Sequence, residues 1–251
     1  MKKITSAVGH RLKLWLSYFL MVVAGLIAFL YFQVLNWTRI IGRKNVPRQG
    51  KQTLLVSNHL SMYDSFFVGI AAYWPEFILW PSLPPHHLAA KENFFKNWLT
   101  RTIFSLLRAI PVERSKKVNR ELVTRVSNTL ARANVHIFPQ GRRSYDLTEV
   151  KTGVAHFIVT THPTPTVIPI YFRGTDRLFG GGPGSKGISR WLPRPPFVGR
   201  KTLIVFGSPI DLSDLLLDPK NLNLYNEITK RIVEAIQDLA TLDRAKSKIP
   251  V

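Results

Sequence analysis

The residues of this chain that could carry out chemistry lie in four short segments. The first segment contains Asn58, His59 and Asp64. Residues five positions apart do not share a helical face, so the imidazole and the carboxylate would meet only across a turn that leads into a helix. A carboxylate on one imidazole nitrogen leaves the other nitrogen as a base that can take a proton from a hydroxyl group. For this pair alone, a surface histidine and a helix-capping aspartate are the alternative.

Two further segments are basic turns that follow predicted strands. They run from Ile110 to Arg114 and from Phe138 to Ser144. The carboxyl ends of strands form the ligand crevice of an open α/β sheet, so arginines there can hold a phosphate group. Arginines in solvated loops are the alternative. The fourth segment, Val167 to Phe172, is predicted to be a buried strand in which Pro169 marks an edge or a bulge.

Alternating strands and helices must position these segments. Short apolar runs predict strands, and apolar residues at helical spacing predict helices. The predicted strands are Thr53–Ser57, Ile110–Val112, Val135–Phe138, Val167–Phe172 and Thr202–Phe206. The predicted helices are Ser65–Tyr73, Asn93–Arg108, Asn119–Ala133, Val154–Thr161 and Tyr225–Leu239. This order predicts an α/β fold with a mixed, largely parallel sheet that is flanked by helices.

An apolar segment precedes the predicted sheet. The 25 residues from Leu14 to Thr38 carry no formal charge. As a helix they would extend about 37 Å, more than the roughly 30 Å hydrocarbon core of a bilayer. Aromatic residues near both ends and basic residues outside them are typical of a membrane interface. We therefore predict an N-terminal membrane helix, with residues 1–40 as the anchoring segment and residues 41–251 as the catalytic domain.

The charges on either side of the helix do not determine its orientation in the membrane. Four basic residues precede the apolar segment and five follow it within the first 51 residues, so the positive-inside rule is nearly tied. The sequence leaves open whether the helix crosses the membrane or lies in one leaflet. We expect a membrane protein with a single N-terminal anchor and its catalytic domain on the cytoplasmic side.

Composition limits the classes of partner and cofactor. The chain has 35 Lys and Arg against 15 Asp and Glu, a net charge of +20, which favours anionic partners. Nucleic-acid binding would require aromatic residues interleaved with basic ones, and no such stretch is evident. Absence of cysteine excludes disulfides, thiolate nucleophiles and Cys-ligated zinc. The histidines lack nearby carboxylates or thiols in a metal-site pattern, so no metal is expected.

In this order the four segments resemble the sequence blocks of the glycerolipid acyltransferase family, the 1-acylglycerol-3-phosphate acyltransferases and their relatives. The family's Asn-His-x4-Asp signature stands here as Asn58, His59 and Asp64. The second, third and fourth blocks are similar to Arg108–Arg114, Gln140–Ser144 and Val167–Ile170.

The resemblance implies transfer of a fatty acyl chain from acyl-CoA or an acyl carrier protein thioester to the free hydroxyl of a lysophospholipid. The acceptor would be 1-acylglycerol-3-phosphate and the product phosphatidic acid. His59 would act as general base and Asp64 would orient it. The acceptor phosphate would be bound by Arg114, Gly141, Arg142, Arg143 and Ser144, with Asn58, Gln140 and Pro169 as other motif positions. The implied partners are membrane lipids and the thioester co-substrate, with no further cofactor.

The chain departs from the family pattern at three positions. Arg108 replaces a glycine of the second block, Gln140 replaces the glutamate of the third block, and Arg142 replaces its threonine. The neutral amide of Gln140 can donate as well as accept, so a role that depends on negative charge is lost. Arg142 adds a cation, which favours an acceptor with more negative charge.

Two other functions remain open. The segments Trp191–Phe197 and Gly207–Pro209 are similar to the tafazzin-like branch, which exchanges acyl chains between phospholipids without a thioester donor. The other alternative is a membrane-tethered basic lipid-binding protein without catalysis.

Overall fold

The computed structural model describes residues 2–48, 52–113, 120–197, 201–217 and 221–246. Within these ranges it contains one sheet with helices on both faces. The strands are β1 (Arg39–Ile41), β2 (Thr53–Ser57), β3 (His86–Ala90), β4 (Ala109–Val112), β5 (Val135–Ile137), β6 (Thr166–Arg173) and β7 (Leu203–Phe206). The helices are α1 (Lys2–Phe29), α2 (Asp64–Tyr73), α3 (Lys91–Phe94), α4 (Trp98–Leu106), α5 (Arg120–Leu130), α6 (Gly153–Thr160), α7 (Ser213–Leu216) and α8 (Leu224–Lys246).

The strand order of the sheet is β1-β7-β6-β2-β5-β3-β4. The described strand pairs are parallel except for β6 with β7, which confirms the predicted mixed, largely parallel α/β fold. All residues of β2 are buried. Apolar side chains fill both faces of the sheet, one beneath α2 and the end of α1, the other beneath α5, α6 and α8. The carboxyl end of β2, where His59 follows, therefore lies at the centre of the sheet.

Two stretches differ from the predicted elements. The helix predicted from Asn93 to Arg108 is broken, because α3 ends at Phe94 and α4 begins at Trp98. The side chain of Asn97 accepts a hydrogen bond from the Thr100 amide at 2.9 Å and starts the second helix. The strands β1 and β3 were absent from the prediction, and β3 contains no β-branched residue that would favour a strand.

The prediction that Pro169 marks an edge or a bulge is wrong. β6 lies between β2 and β7, and its register with β2 runs without interruption through Pro169. The ladder with β7 is paired from Ile170 onward, and the Pro169 carbonyl accepts a bond from the Gly207 amide at 2.9 Å. Proline has no amide hydrogen to donate, and Pro169 lies at the end of the ladder with β7, where only one hydrogen bond is lost. An interior strand therefore tolerates the proline.

The predicted membrane helix packs against the part of the chain that contains the sheet. The Ser17 hydroxyl donates to the Leu106 carbonyl at 2.5 Å, and the Tyr18 hydroxyl donates to the Ile78 carbonyl at 2.7 Å. After α1, the chain continues as a π-helix from Leu30 to Leu35. Phe32 in this segment is fully buried and stacks on Phe67 with 4.0 Å between ring centroids. The end of the helix is therefore part of the hydrophobic core.

We expect Phe32→Ala to lower the free energy of unfolding by about 3 to 5 kcal/mol, because it leaves a cavity beneath α2. Denaturant titration in detergent would measure this loss. Phe19→Ala is the matched control, since Phe19 lies on α1, which the segment of Phe32 continues, and is 64% exposed. Equal stability of the two variants would show that the segment around Phe32 does not belong to the folded core.

Candidate active site

The predicted pair of His59 and Asp64 meets at the carboxyl end of β2. His59 lies in the turn after this strand, and Asp64 is the first residue of α2. The Nδ1 atom of His59 is 3.0 Å from Oδ2 of Asp64. Both residues are buried. The turn thus brings together two side chains that five-residue spacing would separate on a helix.

The Asp64 carboxylate is held by four hydrogen-bond donors. Besides the His59 imidazole, the amides of Leu60 and Ser61 donate to Oδ2 at 2.6 and 2.8 Å. The Ser61 hydroxyl donates to Oδ1 at 2.5 Å. A carboxylate only accepts hydrogen bonds, so Nδ1 of His59 carries the proton and Nε2 is the basic nitrogen. The arrangement fixes both the orientation and the tautomer of the imidazole.

The imidazole is also fixed from its face and through its backbone. The ring of Phe138 stacks on His59 with 3.7 Å between centroids. The neighbouring Asn58 makes two hydrogen bonds with the backbone of Phe172 in β6, at 2.9 and 2.7 Å. The turn after β2 is therefore held by the residue that follows β5 and by the backbone of β6.

Gln140 connects the third block to His59. Its Oε1 accepts a hydrogen bond from the His59 amide at 2.9 Å. Its Nε2 donates to the carbonyls of Ser144 and Asp146 at 3.1 and 2.6 Å, and the Ser144 amide donates to the His59 carbonyl at 3.0 Å. A carboxylate could not donate to these two carbonyls. The amide is therefore the group that satisfies this set of partners.

We expect Gln140→Glu to destabilise the fold by about 1 to 3 kcal/mol, because two carbonyls lose their donor in a buried place. Turnover should fall as well, since the His59 backbone loses its support. Thermal melting and steady-state kinetics would measure both effects. Arg142→Thr is the control for stability, because Arg142 lies in the same block with an exposed side chain. Unchanged melting of Gln140→Glu would contradict this account of the amide.

The predicted phosphate-binding residues occupy two different settings. Gly141 adopts a left-handed backbone with φ of 65°, which starts the turn. The exposed Arg142 pairs with Glu149 at 2.6 Å, and the Ser144 hydroxyl donates to the same carboxylate at 3.1 Å. Arg114 lies outside the described residues. The bond from the Ser144 amide to the His59 carbonyl places the turn from Gly141 to Ser144 beside His59.

The guanidinium of Arg143 faces a glycine-rich loop. Its Nη1 donates to the Gly182 carbonyl at 2.9 Å and to the Ser185 hydroxyl at 3.0 Å. Its Nη2 donates to the Ser185 carbonyl at 3.0 Å. The same loop continues to Trp191, whose carbonyl accepts from the Tyr63 hydroxyl at 2.8 Å. Arg143 therefore joins the turn of the third block to the loop that reaches the His59 segment.

Arg108 explains how the second block tolerates the loss of its glycine. It has φ of 64°, a left-handed conformation that favours glycine. Its guanidinium donates to the Pro84 carbonyl at 2.6 Å and also contacts the carbonyls of Pro81 and Ser82. Burial lowers the pKa of Arg108 to about 10, so the group stays charged near neutral pH. These bonds offset the strain of the backbone.

A cavity of about 120 Å³ lies beside the His59 imidazole. Its walls are mainly apolar and include Met62, Phe66, His87, Phe94 and Phe104. The sequence did not indicate these wall residues, because they come from separate elements and share no local pattern. An imidazole base at the side of an apolar cavity can act on a hydroxyl group while an apolar chain occupies the cavity.

Known proteins resemble this chain in sequence and in fold. Tafazzin from Drosophila melanogaster is 27% identical over 248 residues, covering 90% of this chain and 62% of the relative. The N-acylphosphatidylethanolamine synthase of Arabidopsis thaliana is 28% identical over 171 residues, covering 64% of this chain and 57% of the relative. The chain thus spans about six tenths of the length of these relatives.

The fold resembles a solved structure over most of its length. The crystal structure of the 1-acyl-sn-glycerophosphate acyltransferase PlsC from Thermotoga maritima matches with a TM-score of 0.58 and 19% identity. The match covers 92% of this chain and 80% of that one, and at this identity it concerns the fold alone. The sequence profile of the family described as Acyltransferase matches residues 38–173, more than half of the 251 residues. The chain therefore belongs to the acyltransferase family.

Proposed function

We propose that this protein transfers a fatty acyl chain from a thioester to the free hydroxyl of a lysophospholipid. The observation that carries the proposal is the His59 and Asp64 pair, 3.0 Å apart, at the wall of an apolar cavity. A hydroxyl group is a weak nucleophile until its proton is removed, and a neutral imidazole is a suitable base near neutral pH. Membership of the acyltransferase family supports the same reaction.

The chemical steps follow from the orientation of the imidazole. Nε2 of His59 takes the acceptor's proton as the hydroxyl oxygen attacks the thioester carbon, and a tetrahedral oxyanion forms. Asp64 stabilises the imidazolium through Nδ1. When the carbon–sulfur bond breaks, the imidazolium returns the proton to the departing thiolate. The products are the new ester and a free thiol, and no covalent intermediate with the protein is required.

We propose that the acceptor is 1-acylglycerol-3-phosphate, bound with its phosphate over the turn from Gly141 to Ser144. Arg142 and Arg143 place two guanidinium groups on this turn, and a guanidinium can bind a phosphate through two parallel hydrogen bonds. The Arg143 guanidinium now donates to the carbonyls of Gly182 and Ser185. A phosphate that binds this guanidinium would take the place of these two carbonyls. Binding of the acceptor would then loosen the loop above the site.

A transacylase is the second candidate, and a specific observation favours it. The similarity to tafazzin extends over 90% of this chain. In this reaction the donor is the ester of a phospholipid, and the same base serves both directions. The donor therefore separates the two candidates.

The test offers the purified protein each donor with each acceptor. The donors are acyl-CoA, an acyl carrier protein thioester, and phospholipid alone, and the acceptors are lysophosphatidic acid and a lysophospholipid diester. Product analysis by mass spectrometry should detect phosphatidic acid from a thioester donor. Transfer from phospholipid alone would establish the transacylase instead. Absence of transfer from all donors would contradict both candidates.

We propose that α1 attaches the domain to a membrane. Residues Arg11–Leu35 form a helix that is long and apolar enough to cross a bilayer. Its outer face exposes Trp15, Phe19 and Ile27, whereas contacts with the domain extend from Ser17 to Phe32. One face of this helix thus contacts its own domain, while only 11% of the apolar window is buried, and an exposed apolar face beside a domain fits a position along one leaflet.

We expect the double substitution Trp15→Ser and Phe19→Ser to weaken vesicle binding by at least about tenfold, because two large side chains leave the lipid. Co-sedimentation with anionic phospholipid vesicles would measure the change. Leu217→Ser is the matched control, since Leu217 is also exposed but follows α7. Unchanged binding of the double variant would assign attachment to another surface.

A further inference from the structure

His87 is a buried histidine that the proposed chemistry does not use. It lies in β3, with 8% of its surface exposed, and its backbone pairs with His136 in β5 and Ala109 in β4. Its ring meets that of Phe66 with 5.6 Å between centroids. Within the described part of the chain, its imidazole makes no hydrogen bond. The residue instead borders two cavities in which a ligand or water can reach it.

His87 stands where two cavities meet. The cavity beside His59 is lined by His87, Phe66 and Ser65. A second cavity of about 40 Å³ shares these three residues and extends to Met21 and Gly25 of α1. The other walls of both cavities are mainly apolar. The two cavities are therefore neighbours, one beside the His59 imidazole and the other beside α1, and His87 and Ser65 are the polar residues of the shared wall, which we call the junction.

The junction can bind an uncharged polar group. Burial lowers the pKa of His87 to about 4, so its imidazole is neutral near pH 7 and presents one donor and one acceptor. The hydroxyl of Ser65 is the second polar group at the junction, and it too makes no hydrogen bond among the described residues. A neutral imidazole and a hydroxyl suit a ligand hydroxyl better than an anion, because they offer no compensating charge.

We propose that this junction is a subsite for a hydroxyl group carried on the acyl chain, so that the protein prefers hydroxylated acyl donors. The proposal rests on the proposed acyl transfer, in which the donor chain occupies the cavity beside His59. A saturated chain in the cavity would cover the His87 imidazole and the half-buried Ser65 hydroxyl without offering them a hydrogen bond, which is unfavourable. A chain with a hydroxyl at the matching carbon would pair both groups.

The test compares palmitoyl-CoA with its monohydroxylated analogues, in which the hydroxyl is moved stepwise along the chain. We expect one position to be transferred with kcat/KM about tenfold above palmitoyl-CoA, the size of effect that one buried neutral hydrogen bond supports. The higher kcat/KM should come from a lower KM for the hydroxylated donor. His87→Leu should remove the preference, and Ser65→Ala should reduce it. Phe104→Leu, which alters an apolar wall of the same cavity, should leave it unchanged.

A binding measurement keeps this test separate from the proposed function. Protection against thermal unfolding by free hydroxypalmitic acid and by palmitic acid does not depend on turnover. Greater protection by one hydroxylated isomer, lost in His87→Leu, would support the subsite even if no donor were transferred. Transfer or protection without any preference for a hydroxyl in the wild-type protein would overturn the subsite, and so would an unchanged preference in His87→Leu.

Discussion

Replacement of His59 by alanine should reduce kcat by about a hundredfold to ten-thousandfold, the range in which a general base contributes to catalysis. The variant removes the imidazole that Phe138 stacks on and that Asp64 holds at Nδ1. Acyl transfer at saturating donor and acceptor would measure the loss. Lysophospholipid binding should persist, since the side chain acts on the reacting hydroxyl rather than on the rest of the acceptor.

His156→Ala is the matched control for this variant. His156 lies on α6 and stacks on Tyr225 of α8, so its removal should leave turnover unchanged. A loss of less than about tenfold in His59→Ala would contradict the assignment of the base. If the protein only binds lipid, the wild-type chain shows no turnover. His59→Ala then has no rate to lose.

Asp64→Asn should give the other large effect, a loss in kcat of up to about 10⁴, the size of the corresponding change in a Ser-His-Asp triad. Asparagine keeps the shape of the side chain, and its single carbonyl oxygen can still accept from part of the donor set. The imidazolium that forms during the reaction would lose its anionic partner. Kinetics combined with thermal melting would separate this effect from a loss of folded protein.

Asp64→Ala provides the contrast for that measurement. It would leave the amides of Leu60 and Ser61 without the acceptor they have at 2.6 and 2.8 Å, so it should destabilise the fold by several kcal/mol. If Asp64→Asn melted at the wild-type temperature and kept wild-type turnover, Asp64 would not be the orienting group.

Much of the fold could be predicted because its signals are local. The run Thr53–Ser57 has three consecutive apolar residues at its centre and forms the central strand with the predicted bounds. In contrast, β3 is a strand through its pairing with β4 and β5 rather than through its composition. Tertiary pairing of this kind leaves no trace in a short segment that lacks β-branched residues.

The candidate site also has one part that the sequence could predict and one part that it could not. His59 and Asp64 are close in sequence, so their meeting required only a turn, which the spacing indicated. The bond from Arg143 to the Gly182 carbonyl joins residues 39 positions apart, and the cavity walls come from α2, α3, α4 and three strands. These contacts depend on how the helices and strands pack together. The residue types of a single segment do not determine that packing.

The position of β1 has a consequence for biosynthesis. β1 follows α1 and its π-helical continuation, and its partner in the sheet is β7, Arg39 pairing with Leu203. A ribosome that adds about 5 to 20 residues per second needs on the order of ten to thirty seconds to make the chain between them. During that interval the nascent helix can already be in contact with lipid while β1 has no strand to pair with. The basic side chains of Arg39, Arg43 and Lys44 then oppose edge-to-edge pairing with other chains, as charges on exposed strands do.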